Sequence, residues 1–334
     1  MSLTIQVIEL ESDMDSDRQN YLAQIAAWYY EQNLSQDEIS RRIGRTRSMV
    51  SRLLQEAREQ GLVEIRVRYP LKTDSDLESR LCQTFGLARA VVLAEPPADY
   101  DTLLRRLGEL GAGCLQQYLH DGVQIGISWG TAVYHVVSAM PELPIRDARV
   151  IQMIGAVGSG DPLVDGTELA RWLAQKLKAS YRILHAPLLV DDETIAQGLL
   201  NDRTIAETLA LVSQIEVALV GVGIIDPPYL SALRRSGYAS NSDMALLRQA
   251  KVVGDVLARA LDAYGRAVDT PFNRRVIGAD LDMLKAIPTV ILVAGGMMKA
   301  QAILGTLRGG CEHVLVTDAE TASAVLALHT ESSH

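Results

Sequence analysis

Between residues 17 and 33 the apolar side chains fall at Leu22, Ile25, Ala26, Tyr29 and Tyr30, one face of a helix. The run LSQDEISRRIG follows. Ser35 with Glu38 three positions on has the spacing of a capping box, Ile39 and Ile43 share a face, and Gly44 supplies the turn that stops a helix. Thr46 then reads as the N-cap of a second short helix with Val50, Leu53, Leu54 and Ala57 turned inward. Arg47, Ser48, Ser51, Arg52 and Gln55 are left on its outer face. The segment LVEIRVRYP alternates apolar and polar and ends at Pro70, which predicts a strand over 62–70. It is either the wing of a winged helix-turn-helix or an exit strand.

Past the polar stretch PLKTDSD the pattern changes. Short apolar runs alternate with amphipathic ones: VVLAEP precedes a helical pattern reaching Tyr118, VQIGIS precedes GTAVYHVVSAM, and RVIQMIG precedes ELARWLAQKLKA. VALVGVG, TVILVAGG with MKAQAILGTLRGG, and HVLVTD with AETASAVLAL repeat the theme. Strands alternating with helices predict an α/β unit with a parallel sheet covered on both faces. The expected organisation is an acidic tail over 1–16, a helix-turn-helix domain over 17–69, a linker over 70–76 and a larger domain over 77–330. The segment 74–86 places Leu77, Leu81 and Phe85 at helical spacing, a face for pairing subunits or for docking on its own domain.

Composition narrows the classes. Of 334 residues 48% are hydrophobic, enough for sizeable cores, and the formal net charge of −9 excludes a chain that coats nucleic acid along its length. Against that background RRIGRTRSMVSR, residues 41–52, holds five arginines and no acid. Cys82, Cys114 and Cys311 form no C-x-x-C pair, which predicts reduced thiols and a reducing compartment. The N-terminal residues lack a basic n-region and an apolar core, and the run IPTVILVAGGMM is too short and glycine-broken to span a bilayer. The expectation is a soluble cytoplasmic protein with no membrane partner.

The local arginine density has a physical reading. In a helix-turn-helix the second helix enters the DNA major groove and its N-terminal residues meet base edges and phosphates. Arg45, Thr46, Arg47, Ser48, Ser51 and Arg52 are therefore the candidate DNA contacts. In a parallel α/β sheet, ligands sit at the C-terminal ends of the strands. Four such ends stand out. Ser128, Trp129, Gly130 and Thr131 open a helix, where free backbone amides suit an anion. Gly221 and Gly223 fall short of a dinucleotide fingerprint. Asp255 after Gly254 is a carboxylate able to accept hydroxyl protons. Gly295 and Gly296 let backbone approach closely, and Lys299 stands on the first turn of a helix, where a cation opposes the dipole. The histidines show no metal-ligand spacing, and no nucleophile elbow or zinc motif is present, so no metal and no cofactor are expected. A sugar-phosphate isomerase or deaminase fused to a DNA-binding head is the enzymatic alternative, and it lacks a placed general base.

WYYEQNLSQDEISRRIGRTRSMVSRLLQEAREQGLVEIRV resembles the N-terminal domain of the SorC family of bacterial transcriptional regulators. GISWG, VIQMIG, ALVGVG, VVGD, VAGGMMKAQAILGTLRGG and VLVTDAETA are similar, in matching order, to that family's effector domain. The resemblance implies a Rossmann-like fold similar to the sugar-phosphate isomerase and glucosamine-phosphate deaminase group, used for binding and not catalysis. It further implies operator DNA as partner, a phosphorylated sugar or polyol as effector, and a homotetramer. By the same resemblance Ser128, Trp129, Gly130, Thr131, Gln152, Asp255, Gly295, Gly296 and Lys299 line the effector pocket. One position departs: the family's threonine two places after the loop glycine is Ala132 here, which leaves a free sugar or polyol as the alternative effector.

Overall fold

A computed structural model describes residues 18–63, 71–158, 165–227, 231–311 and 313–331, and the chain divides after Pro70 into two compact units. The acidic tail expected over 1–16, and residues 64–70 of the expected strand, lie outside the described residues.

The first unit is helical. Helix α1 runs through residues 18–30, α2 spans Gln36–Ile43 and α3 spans Arg47–Glu59. The capping box at α2 is formed: Ser35 Oγ accepts from the Glu38 amide at 3.3 Å, and Glu38 Oε2 accepts from the Ser35 amide at 2.8 Å. Gly44, at φ 64°, closes α2 in the left-handed conformation that glycine adopts without a Cβ penalty. Leu22, Ile25, Ala26, Ile39, Val50, Leu53, Leu54 and Ala57 form the core of this unit.

The second unit contains α4 (Ser75–Phe85), β1 (Arg89–Leu93), α5 (Tyr100–Gln116), β2 (Gln124–Ile127), α6 (Thr131–Ala139), β3 (Arg149–Gln152), α7 (Gly166–Leu177), β4 (Ser180–Arg182), α8 (Glu193–Leu200) and α9 (Arg203–Ala210). It continues with β5 (Val217–Val220), α10 (Ala232–Arg235), α11 (Asn241–Gln249), β6 (Gly254–Val256), β7 (Arg259–Leu261), α12 (Pro271–Arg274), α13 (Leu281–Lys285), β8 (Thr289–Val293), α14 (Ala300–Gly309), β9 (Val314–Asp318) and α15 (Ala319–Glu331). Seven strands make one parallel sheet in the order β1-β9-β8-β5-β2-β3-β4. Its interior strands carry near-continuous apolar runs because both faces are covered. Leu104, Leu107, Val133, Val136 and Leu173, from α5, α6 and α7, fill one face. Leu81, Ile303 and Val325, from α4, α14 and α15, fill the other.

Two sequence expectations change here. Residues 72–74, read as linker, pair along β1: Asp74 donates to Val92 O at 2.9 Å, and Ala94 donates to Lys72 O at 3.0 Å. That pairing covers an otherwise open sheet edge. Leu77 and Leu81 of α4 are buried in the unit's own core, so that face is used for docking and not for pairing subunits. The edge strand β4 and the two-stranded antiparallel ribbon β6–β7 were not foreseen. Among the described residues no helix is long and apolar enough to cross a membrane.

Candidate functional site

The strand order reverses between β2 and β5. From β2 the chain adds β3 and β4 outward on one side, while β5, β8, β9 and β1 lie on the other. A crevice opens at such a reversal, beyond the carboxyl ends of the strands. Here it is a cavity of about 480 Å³. Ser128 to Ala132 after β2, Gly221 to Ile224 after β5, and Gly295 to Lys299 after β8 all line it, joined by Asp255 and Leu257.

The loop after β2 is built to leave amides free. Ser128 N–H donates to Leu219 O at 3.1 Å, which anchors the loop to β5. Gly130, at φ 105° and ψ 168°, then opens α6 with no side-chain cap. The first-turn amides of α6 are left to water or a ligand. Ser128 is 1% exposed, and its Oγ has no hydrogen-bond partner among the described residues.

The loop after β5 meets the ribbon. Gly223 and Asp255 exchange backbone hydrogen bonds of 2.9 and 3.1 Å. A Cβ on Gly223 would stand 2.1 Å from Asp255 Oδ1, so only glycine lets the carboxyl lie against the strand end. Asp255 is 5% exposed. Burial pushes its carboxyl up to about 7, opposed by Lys299 and by the Ala258 amide. Burial also pulls the Lys299 ammonium down to about 8, Asp255 opposing and Arg235 reinforcing the shift. Lys299 Nζ donates to Val222 O at 2.8 Å, which aims the charge into the cavity instead of along α14. The double-glycine loop is held from behind. Buried Asp318 accepts from the Gly296 amide at 2.8 Å and from the Thr321 amide and hydroxyl at 2.9 and 2.7 Å.

Of the residues assigned to the pocket by sequence, Ser128, Trp129, Gly130, Thr131, Asp255, Gly295, Gly296 and Lys299 line one cavity. Gln152 does not. It is fully buried at the end of β3, where its Oε1 accepts from the Leu184 amide at 3.3 Å and the Thr167 hydroxyl at 3.4 Å. Its side chain packs under Gly166, ties β3 to α7 and stops short of the cavity wall. Asp255 arrives by a different route from the one expected. It sits on β6 of the ribbon, not at the end of a sheet strand, and the ribbon folds over the end of β5. Sequence reasoning missed Tyr100, Arg235, Met297 and Met298 on the wall. The adjacent methionines were visible as an exposed apolar pair after the glycines, while Tyr100 and Arg235 carry no periodic signal.

In the first unit all six candidate DNA contacts are exposed. Thr46 Oγ1 accepts from the Met49 amide at 3.3 Å, which starts α3 and sets the direction of Arg47, Ser48, Ser51 and Arg52. The arginines divide by role. Arg41 Nε donates to Asp37 O at 3.3 Å and the Arg42 guanidinium lies 4.3 Å from the Trp28 ring centre, so both are committed within the unit. Arg47 stands 3.9 Å from exposed Asp37, a weak pairing. Arg45 and Arg52 make no ion pair among the described residues.

Comparison with known proteins identifies the lineage. The Sugar-bind family of sugar-binding domains matches residues 69–327. The deoxyribonucleoside regulator of Bacillus subtilis is 32% identical over 94% of this chain and 99% of its own length. The sorbitol operon regulator of Klebsiella pneumoniae is 31% identical over 93% of this chain and 99% of its own length. The full-length crystal structure of that regulator superposes with a TM-score of 0.70 over 93% of this chain. These relatives are transcriptional regulators and not enzymes, and the chain belongs with them to the SorC family of bacterial transcriptional regulators that carry this sugar-binding domain.

Proposed function

We propose that the protein regulates a carbohydrate-use operon, and that a phosphorylated sugar or polyol in the cavity of the second unit sets its affinity for operator DNA. The observation that carries this reading is the meeting, in one cavity, of the uncapped start of α6, the unpaired Ser128 hydroxyl, the Lys299 ammonium and the Asp255 carboxyl. Fixed amides and a cation suit a phosphate, whose burial without partners is very costly. A carboxyl that accepts from hydroxyl groups suits the sugar. The volume lies within the range of small-molecule sites. Arg45, Thr46, Arg47, Ser48, Ser51 and Arg52 are the proposed DNA contacts, and the working assembly is a homotetramer.

The test is calorimetric titration with matched phosphorylated and free sugars, beside operator binding by gel shift. Lysine acts on phosphate as a point charge. Lys299→Ala is expected to weaken the phosphorylated ligand by roughly one to two decades and the free sugar far less. DNA binding without effector should not change. Free sugar binding at least as tightly to the unaltered protein would overturn the phosphate assignment and give weight to Ala132 in its loop.

A further inference from the structure

A second cavity, of about 400 Å³, lies elsewhere in the second unit, lined by Tyr264, Gly265, Arg266, Lys285, Arg308 and Gly309. Three of its six lining residues are cations and none is an acid. The chain has 41 acidic against 32 basic residues, so carboxylates to neutralise them are plentiful. Yet Arg266, Lys285 and Arg308 make no ion pair among the described residues. Arg308 and Lys285 end α14 and α13, where a cation favours the helix dipole. That accounts for each singly but not for their convergence with Arg266 on one concavity.

The floor of this cavity is rigid. Asp262 Oδ1 accepts from the Tyr264 and Arg266 amides at 2.8 and 2.9 Å, and Gly265 N–H donates to Asp262 O at 3.0 Å. One oxygen of the Asp262 carboxylate thereby holds the turn. Gly265 sits at φ 74° against the backbone of Gly305 and Gly309, and a Cβ there would come within 2.4 Å of both. Arg308 Nη1 donates to Ala263 O at 3.3 Å, and the Arg266 guanidinium lies 5.8 Å from the centre of the Tyr264 ring. Tyr264 is 65% exposed, a large aromatic face beside the cations.

The two cavities share their supports. Lys299 stands at the start of α14 and lines the first; Arg308 and Gly309 end α14 and line the second. The ten residues of α14 span about 15 Å. The ribbon does the same: Asp255 on β6 faces the first cavity, and the turn after β7 forms the floor of the second. Ala302 on α14 packs against Gly254 at the start of β6, so the helix and the ribbon are in contact between the two cavities.

We propose that Arg266, Lys285 and Arg308 form a second anion site, for a small phosphate-bearing ligand, at the opposite end of the helix that presents Lys299.

The test uses the full-length protein and pyrophosphate as probe. Titration of the unaltered protein is expected to show two saturable classes of site. The double substitution Arg266→Ala with Lys285→Ala, at two exposed positions, should weaken one class at least about tenfold and leave the other. Lys299→Ala should do the reverse, which separates this site from the effector reading. An unchanged isotherm in the double variant, with its melting temperature intact, overturns the proposal. So does a single class of site that only Lys299→Ala removes. Operator affinity measured without pyrophosphate distinguishes the phosphate source: an unchanged value in the double variant supports a small ligand, and a parallel loss assigns the cations to DNA phosphates instead.

Discussion

At the scale of single residues, the charge in the proposed effector cavity is set by burial acting on a pair. Asp255, pushed up to about 7, and Lys299, pulled down to about 8, titrate in the same range, so the protons belong to the pair as much as to either group. The signs agree for an anionic ligand. As pH rises through the Asp255 range the cavity gains a negative charge, and as it rises through the Lys299 range the cavity loses a positive one. Both changes oppose phosphate. Affinity for a phosphorylated ligand should therefore fall between about pH 7 and 9, above the second phosphate ionisation near 6. Binding at about pH 8 should take up protons, because the ligand favours the charged lysine. Calorimetry in two buffers of different ionisation enthalpy measures this uptake, and in Lys299→Ala it should change in size and shift in pH, because only Asp255 is then left to take up the proton. Proton release, or none, in the unaltered protein would contradict the charge arrangement. Much at this scale was legible in the sequence. The glycines at 130, 223, 295 and 296 mark places where backbone must turn or approach closely. Gln152, assigned to the pocket by resemblance and by no signal of its own, is buried at the end of β3 and does not line the cavity. Arg235 and Tyr100 were missed because a lone polar residue at the end or start of a helix says nothing of what it faces.

At the scale of elements, periodicity was read well wherever an element was long or buried on both faces. The βα alternation of the second unit and the capping box, glycine turn and inward set of the first were all legible. Elements of three residues were not: β4 is wholly exposed, and β6 and β7 are too short to show alternation. That ribbon carries Asp255, so the site was legible as a residue and not as a geometry. In the first unit, those arginines of 41–52 that are engaged within the fold lie on α2, and those facing solvent with weak or no ion pairs lie on α3 or just before it. Arg41 and Arg42 bond within the unit, while Arg52 projects from the outer face. Arg47→Ala and Arg52→Ala should each leave the melting temperature unchanged, because exposed side chains without strong partners contribute little to stability. Each should weaken operator binding, by about 1–3 kcal/mol where a base contact is lost. A gel shift at fixed salt checks both. Unchanged affinity in the two variants would remove α3 from the interface.

At the scale of the whole molecule, the argument turns on how little DNA one head can read. A single short recognition helix reaches few base pairs, and two-fold assemblies gain specificity by setting two such helices about one helical turn apart or a multiple of it. The proposed homotetramer would supply such paired heads. The apolar face of α4 is not free to join subunits, because Leu77 and Leu81 are already in the core. An effector can change operator affinity only through a difference in its binding to two states of the assembly. In the proposed tetramer, sensing and assembly would then be linked, and such linkage is reciprocal. Light scattering at micromolar concentration should give four times the 36.4 kDa chain mass. A saturating phosphorylated ligand should shift either that mass or the operator affinity of the tetramer. A monomer with and without ligand, binding operator with unchanged affinity, would leave the cavity without a route to the DNA and contradict the regulatory reading.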